Sequence, residues 1–524
     1  MRTTPRAGHS GPRLTRREVL AGMAALGLAA CMPRGTGEGG GQVFGIPDPA
    51  AVPGLPGGLF ALGVASGDPS PDGFVLWTRL APQPTADGGG MPDITVPLRW
   101  QVASDQAFTN LVADGEVSTT ASVAHSAHIT LRRLAPNTTY WYRFSTGGQT
   151  SPVGRTRTTP ALGASVDQLK MVFATCQHYE SGFYTAWSHV AAENPDVVVF
   201  LGDYIYEGGI SSGRPRQHNS PEVKTLDAYR KRYGLYKSDP RLQAAHLVAP
   251  WILTWDDHEV ENNYAGTVPQ DPADQAGFAA RRVAAYQAYW EHQPLRVEPV
   301  EGALSLYRSI PWGSLADFIV LDGRQYRSDQ VCSNDVAVDC GTRTSPANTM
   351  LGATQKGWVQ AQLAAQSGRW SVLANQVAMT PMPFGTAFNM DQWDGYPVER
   401  TALLASMAAV RNAVVLTGDF HAAGVGDLQD EPTGSPIVGT ELMTTSISSN
   451  TSATNEALIS QYVTSLPQWQ WFDATKRGYA RATITPSTFD VDFMAVSTLT
   501  DVLTPATVNT AWRITDGTPG AVPR

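Results

Sequence analysis

The chain is poor in cysteine, in charge and in long apolar runs, and each shortage excludes something. Four cysteines in 524 residues are too few to staple a disulfide scaffold. Charged side chains make up 16% of the residues, 38 basic against 47 acidic, so the formal net charge is 38 − 47 = −9. An acidic chain offers no electrostatic footprint for a nucleic-acid backbone, and specific nucleic-acid binding is not expected. The longest apolar run near the start, residues 19–30, has 12 residues where a membrane-spanning helix needs about 20, and no later run is longer. What is present is core material. The chain is 42% hydrophobic with 14 Trp, 17 Tyr and 16 Phe, enough for a large globular protein of two or three units.

Residues 1–30 read as an export signal. Arg2, Arg6, Arg13, Arg16 and Arg17 precede the uncharged run 19–30 with no acidic residue among the first 17. Thr15-Arg16-Arg17-Glu18-Val19-Leu20 resembles a twin-arginine signal, which implies the twin-arginine translocase as a partner and folding before export. Leu28-Ala29-Ala30-Cys31 resembles a lipobox, with Cys31 as the lipidated residue. The expected location is therefore exported, periplasmic or at the cell surface, with membrane contact only through a lipid on Cys31. Cleavage before Cys31 removes five Arg and one Glu, leaving 33 − 46 = −13. Residues 31–58 are a Gly/Pro-rich linker. The formal G-x-G-x-x-G at Gly35, Gly37 and Gly40 has no strand before it and no helix after it, so it is not a dinucleotide site.

Two textures follow. Residues 59–160 alternate in short β-runs divided by Asp-Pro, Pro-Asp-Gly and Pro-Asn-Thr turns, as expected of a fibronectin- or immunoglobulin-like β-sandwich with a structural or positioning role. Residues 165–500 alternate strand and helix. Helices are predicted over 183–193, 222–233, 272–292, 354–366 and 398–412. Between them lie unbroken apolar runs at 170–174, 197–201, 251–254, 318–321, 370–374 and 414–416, the pattern of strands buried on both faces. Residues from 479 and from 489 alternate like a hairpin, and 501–524 are expected as a tail. The fold class is α/β, preceded by the all-β unit.

Chemistry sits just past the end of each buried run. The six runs lead in turn into Cys176-Gln177-His178, Asp203-Tyr204-Ile205-Tyr206-Glu207, Asp256-Asp257-His258-Glu259, Asp322-Gly323-Arg324-Gln325-Tyr326-Arg327, Asn375-Gln376 and Asp419-Phe420-His421. In an open α/β sheet that edge binds ligands. If the segment is extended, Asp419 and His421 aim at one centre. Adjacent Asp256 and Asp257 point apart, so one of them faces it, and Asp203 and Tyr206 meet across a turn. Carboxylates, phenolate, imidazole and one thiolate are more anionic than a single zinc needs and suit trivalent iron together with calcium or another hard divalent ion.

Gly63-Val-Ala-Ser-Gly-Asp-Pro, Leu76-Trp-Thr-Arg, Thr175-Cys-Gln, Leu201-Gly-Asp-Tyr-Ile-Tyr-Glu, Thr254-Trp-Asp-Asp-His-Glu-Val-Glu-Asn-Asn, Leu321-Asp-Gly-Arg-Gln-Tyr-Arg-Ser and Leu416-Thr-Gly-Asp-Phe-His together resemble the PhoD-type alkaline phosphatases. The resemblance implies a fibronectin-like domain followed by a calcineurin-like metallophosphatase of two β-sheets flanked by helices. It also implies a secreted enzyme that hydrolyses phosphomonoesters and phosphodiesters with a metal-activated hydroxide at an iron–calcium centre. On matching positions it assigns Cys176, Asp203 and Tyr206 to ferric iron, with Asp203 bridging to calcium. Asp257, Asp419 and His421 take the remaining ligand positions, Asn262 or Asn263 completes a calcium site, and His258 stands beside the scissile phosphate. Thr175 replaces the commoner Ser, and Asn375-Gln376 stand where other metallophosphatases carry a metal-binding His. Arg324 and Arg327, three apart, are candidates to clamp phosphate with forked donors, or to pair with nearby carboxylates.

Cys332 and Cys340 flank a short polar segment and are expected as a disulfide in an oxidising exterior. Rival readings are a phospholipase-D-type diesterase and a non-catalytic, surface-anchored binding lipoprotein. The G-x-S-x-G at Gly209, Ser211 and Gly213 lacks the strand and helix of a nucleophile elbow. No P-loop motif occurs.

Overall fold

The computed structural model describes residues 52–333, 335–430 and 434–524. The export signal, Cys31 and most of the 31–58 linker lie outside the described residues. The chain first lays down β1 (Val64–Ser70), β2 (Gly73–Arg79), β3 (Val96–Ala103), β4 (Leu111–Thr119), β5 (Ser126–Thr130), β6 (Thr139–Thr146), β7 (Gln149–Thr150) and β8 (Gly154–Arg157). One layer is β1-β2-β5; the other is β4-β3-β6-β7, with β8 on β6. Inward positions of the two layers, among them Phe74, Leu76, Leu98, Val102, Tyr142 and Phe144, form the sandwich core.

Next come β9 (Leu169–Ala174), β10 (Val197–Leu201), β11 (Trp251–Thr254), β12 (Arg308–Trp312), β13 (Ala316–Val320), β14 (Val336–Val338), β15 (Trp370–Ala374), β16 (Ala387–Asn389), β17 (Ala413–Thr417), β18 (Ala423–Leu428), β19 (Gly439–Met443) and β20 (Trp469–Asp473). The chain closes with β21 (Arg477–Ile484), β22 (Thr488–Val496), β23 (Ala506–Thr515) and β24 (Thr518–Pro523). A ten-stranded sheet runs β24-β23-β22-β21-β9-β10-β11-β1-β2-β5, and a seven-stranded sheet runs β12-β13-β15-β17-β19-β18-β20. The strands that lead to the site are parallel within each sheet, β9 with β10 and β11, and β13 with β15, β17 and β19.

The unbroken apolar runs have the cause expected of them. Leu169, Met171, Phe173, Val197, Val199 and Leu201 pack across to Phe318, Val320, Val372, Val414 and Leu416 of the second sheet. The alternate residues Val172, Ala174, Val198 and Phe200 pack outward beneath Trp187, Val190, Tyr229 and Leu242 of the helical layer. With both faces buried, no position in such a strand tolerates a polar side chain. Truncating one of these leucines to Ala costs about 2–5 kcal/mol.

Helices Thr185–Glu193, Leu226–Lys237, Gln275–His292, Gly352–Ala364 and Pro397–Met407 fall on the five expected stretches, with ends shifted by up to five residues. Two more, Pro240–His246 and Ala453–Thr464, were not anticipated; the first is a short turn started by the Asp239 cap and Pro240, the second is mostly polar. Two other expectations are corrected. The β-sandwich is not walled off near residue 160, because β1 pairs with β11 at Gly67↔Trp251 and so continues the large sheet. A Cβ at Gly67 would meet the Pro294 carbonyl oxygen at 2.5 Å and that of Trp251 at 2.8 Å, so this seam needs glycine. Residues 501–524 are not a tail: β23 and β24 extend the same sheet at its other end. The hairpin expected just before them is β21–β22. Among the described residues no helix is long and apolar enough to cross a membrane.

Candidate metal centre

Side by side, the parallel strands deliver their following turns to one edge. Thr175 continues β9 far enough to bridge Ser446, which follows β19, so the two sheets meet where the chemistry lies. The turns are sharp. Cys176, Asp203, Asp419 and His421 all have left-handed backbones, with φ of 56°, 60°, 57° and 56°. Non-glycine residues rarely hold this conformation, and it is typically retained at functional sites. Gly202, at φ 107°, is required because a Cβ there would lie 2.5 Å from that of Asp256.

Three overlapping groups of donors result, each with its ligand atoms within 4.8 Å of one another: Cys176, Asp203 and His421; Asp203, Asp257 and His258; and Asp256, Asp257 and Asp419. Asp203 belongs to the first two and Asp257 to the last two. Tyr206 completes the first group, its hydroxyl donating to Asp203 Oδ2 at 2.9 Å and lying 3.1 Å from His421 Nε2. The expected meeting of Asp203 and Tyr206 is therefore present. Asp419 and His421 are brought to the same cavity but to different groups, because their segment is a left-handed turn rather than an extended strand.

The electrostatics are those of a cage lacking its counter-charge. Burial, with Asp203 beside it, pushes the Cys176 thiol well above its usual range. Burial does the same to Asp203 and, aided by Asp203, to the Tyr206 phenol. Burial and Asp257 push Asp419 up to about 6. Burial and the Arg477 charge hold His421 down to about 3, as a neutral donor. Buried Asp203 Oδ1 has no hydrogen-bond partner. Buried polar atoms are ordinarily satisfied, so an orphaned carboxylate oxygen among thiol, phenol and imidazole fits a missing cation.

His258 is held differently. Its Nδ1 lies 2.7 Å from Glu207 Oε2, and its ring packs on Tyr206 with centroids 4.1 Å apart. Burial opposes its charge, but Glu207, Asp257 and Asp203 together raise its pKa well above the usual value. Because Glu207 takes Nδ1, Nε2 is the nitrogen left for other work.

Arg324 and Arg327 are not a phosphate clamp. Arg324 is fully buried; its Nε donates to Asp256 at 2.5 Å, and its Nη1 and Nη2 donate to Asp391 at 2.7 and 2.8 Å. Arg327 donates to Asp391 Oδ1 at 2.9 Å and to the Asp391 carbonyl at 2.6 Å. Both hold the acidic cluster together from behind, and Arg324 outweighs burial to keep Asp257 well below the usual carboxylate range. Asn262 donates its backbone N–H to Glu207 and its side-chain amide to Gln270, and Asn263 donates its backbone N–H to Asp257 Oδ2 at 2.6 Å; these contacts organise the loop. Gln376 bonds Thr254 and the Leu321 carbonyl, and Asn375 bonds the Val377 carbonyl, so neither replaces a histidine ligand.

The structure adds residues that the sequence did not single out. Glu259 accepts the backbone N–H groups of Asp203, Tyr204 and Asp256, stapling two ligand turns, and burial pushes its carboxyl up to about 8. Gln392 Nε2 donates to Asp419 Oδ2 at 2.6 Å. Ser449 Oγ lies 2.7 Å from the Tyr206 hydroxyl and 2.9 Å from the Cys176 carbonyl. The only local signal was the presence of Glu207 and Glu259 inside the ligand turns; Asp391, Gln392 and Ser449 arrive from distant loops. Away from the centre, Cys332 and Cys340 form the expected disulfide and Cys176 is free and buried.

Residues 171–493 match the family model of the PhoD-like phosphatase, and residues 54–160 match that of the PhoD-like phosphatase N-terminal domain. Alkaline phosphatase D of Bacillus subtilis (strain 168) is 44% identical over 476 residues, covering 88% of this chain and 81% of that protein. A solved structure of PhoD superposes with a TM-score of 0.85 at 41% identity, over 90% of this chain and 93% of the other.

Proposed function

The chain belongs to the PhoD-like phosphatase family, and from that premise we propose that the strand-end cage is the working centre of a phosphomonoesterase and phosphodiesterase. The protein is a metal-dependent phosphoric ester hydrolase. One observation carries the assignment of its centre: Asp203 stands in two donor groups at once and keeps a buried, unbonded oxygen, the arrangement a carboxylate needs to bridge two cations.

Cys176, Asp203, Tyr206 and His421 would hold ferric iron, since thiolate, phenolate and carboxylate suit a trivalent ion. Asp257 and Asp419, with Asp203, would hold calcium or another hard divalent ion. When bound, such ions supply Lewis acidity to a water and to phosphoryl oxygens. The chain's own residues do the rest. Glu207 fixes the His258 ring and favours its protonated form, so Nε2–H can donate to a phosphoryl oxygen or to the departing alkoxide. Glu259 holds the turns of Asp203 and Asp256 at fixed separation. Arg324 sets Asp256 and Asp257 by holding the first and repelling protonation of the second.

The Arg16-Arg17 and Cys31 patterns support export in folded form and a lipid anchor outside the cytoplasm, and the Cys332–Cys340 disulfide suits an oxidising compartment. Asp203→Ala tests the whole assignment. Metal content and phosphoester turnover fall together in that variant, and a metal-depleted variant with full turnover overturns the reading. Iron is tested separately: the native protein carries a visible tyrosinate–iron band that Tyr206→Phe removes, and a colourless, iron-free native protein contradicts that assignment.

A further inference from the structure

The polar segment that carries Gly209, Ser211 and Gly213 has no regular secondary structure, yet it is firmly built. Glu180, fully buried, accepts the backbone N–H of Ser211 at 3.1 Å and of His218 at 2.7 Å. His218 Nδ1–H donates to the Gly208 carbonyl at 2.9 Å, which leaves Nε2 to accept from the Tyr236 hydroxyl at 3.0 Å. Arg232 binds the Gly208 carbonyl at 2.8 Å and Ser220 Oγ at 3.1 Å. Arg216 lies 3.8 Å over the Tyr179 ring and pairs with Asp239 at 2.6 Å.

At the exposed tip of this scaffold stands Arg214. Its Nη1 donates to Asn450 Oδ1 at 3.1 Å, and Asn450 directly follows Ser449, the residue beside the Tyr206 hydroxyl and the Cys176 carbonyl. The Arg214 charge reaches the His178 imidazole, whose ring packs edge-on against Tyr206 at 4.5 Å. The other arginines near the centre are spent. Arg324 and Arg327 pair with carboxylates, as do Arg216 and Arg477, while Arg232 is absorbed by main-chain carbonyls. Among the described residues Arg214 makes no ion pair; a neutral amide oxygen steadies it and leaves its charge uncompensated.

We propose that Arg214 is a specificity-determining residue that binds a second negative charge on the substrate, outside the scissile phosphoryl group. The preferred substrates are phosphoesters that carry a further carboxylate or phosphoryl group. The inference rests on the phosphoesterase reading and deepens it. The protein side of the centre is a field of carboxylates, Asp203, Asp256, Asp257, Asp419, Glu207 and Glu259, which repels any anionic group not taken up at the metals. A planar guanidinium held over that rim by one donor keeps its remaining donors for a forked contact with an oxyanion.

The test compares phenyl phosphate with 4-carboxyphenyl phosphate on the metal-loaded protein. In Arg214→Gln, kcat/KM for the carboxylated ester falls about fivefold to tenfold through KM, the size of one exposed charge-assisted hydrogen bond. Turnover of phenyl phosphate and the metal content stay at their native levels. Arg214→Lys restores part of the preference, and added salt erodes it in the native protein. An unchanged ratio between the two esters, or an equal loss on both, overturns the inference and leaves the phosphoesterase reading standing. Failure of the native protein to turn over either ester overturns both.

Discussion

Replacing Glu207 by Gln perturbs the centre without touching a member of the donor groups. Glu207 Oε2 sits 2.7 Å from His258 Nδ1, and its Oε1 accepts the Asn262 backbone N–H at 2.8 Å. A glutamine can keep only one of these contacts. With its oxygen on Asn262, its amide N–H faces Nδ1, which must then accept, and the imidazolium loses the carboxylate that favours it. Hydrogen bonds to charged groups are worth about 1.5–3 kcal/mol, and each 1.36 kcal/mol of barrier is tenfold in rate, so kcat/KM falls roughly 10- to 150-fold. The assay is steady-state hydrolysis at saturating metal, with metal content measured on the same sample. If His258 protonates the departing oxygen, an alkyl phosphate loses more than a nitrophenyl phosphate, whose leaving group needs no proton. Activity within twofold of the native protein, or a loss that tracks loss of metal, refutes the reasoning.

Two further outcomes follow from buried charge. Arg324→Met leaves Asp256 and Asp391 facing each other without their shared guanidinium, and unfolding by denaturant should show a loss of about 3–5 kcal/mol; a variant as stable as the native protein would show that the pairing holds nothing. His128 Nε2 donates to the carbonyls of Trp290 and Gln293 at 2.9 and 3.0 Å, and burial holds its pKa down to about 4, against 6.5 for a free histidine. The unfolded chain therefore takes up this proton first, so the ring's contribution is full above pH 6.5 and is lost as pH falls towards 4. The difference of 2.5 (6.5 − 4) amounts to about 3 kcal/mol, and His128→Gln should flatten the stability curve in that window. An identical acid slope in the two proteins would contradict this.

Much of the centre is legible because two simple requirements coincide. Val197-Val-Val-Phe-Leu can only be a strand buried on both sides, and the first polar residues after it, Asp203 and Tyr206, must then lie at the sheet edge. The same logic places Cys176, Asp257, Asp419 and His421. It fails where function depends on partners far along the chain. Arg324 and Arg327 look like phosphate ligands until Asp391, more than 60 residues away, is seen to occupy both. Asp203 and Glu207 are the same kind of residue four positions apart, and only the fold aims one at the cage and the other at His258. The fusion of the β-sandwich with the large sheet rests on one close approach at Gly67, which no periodicity announces. The strands at 506–523 carry too little alternation to be read as more than a tail.

Elemental analysis of natively purified protein, run on the same sample before and after chelation and alongside phosphomonoester hydrolysis, tests the central claim most directly. The account predicts more than one metal ion per chain, hydrolysis that disappears as the ions are removed, and recovery when they are returned. A protein that contains no metal and still hydrolyses the ester at its full rate would contradict it.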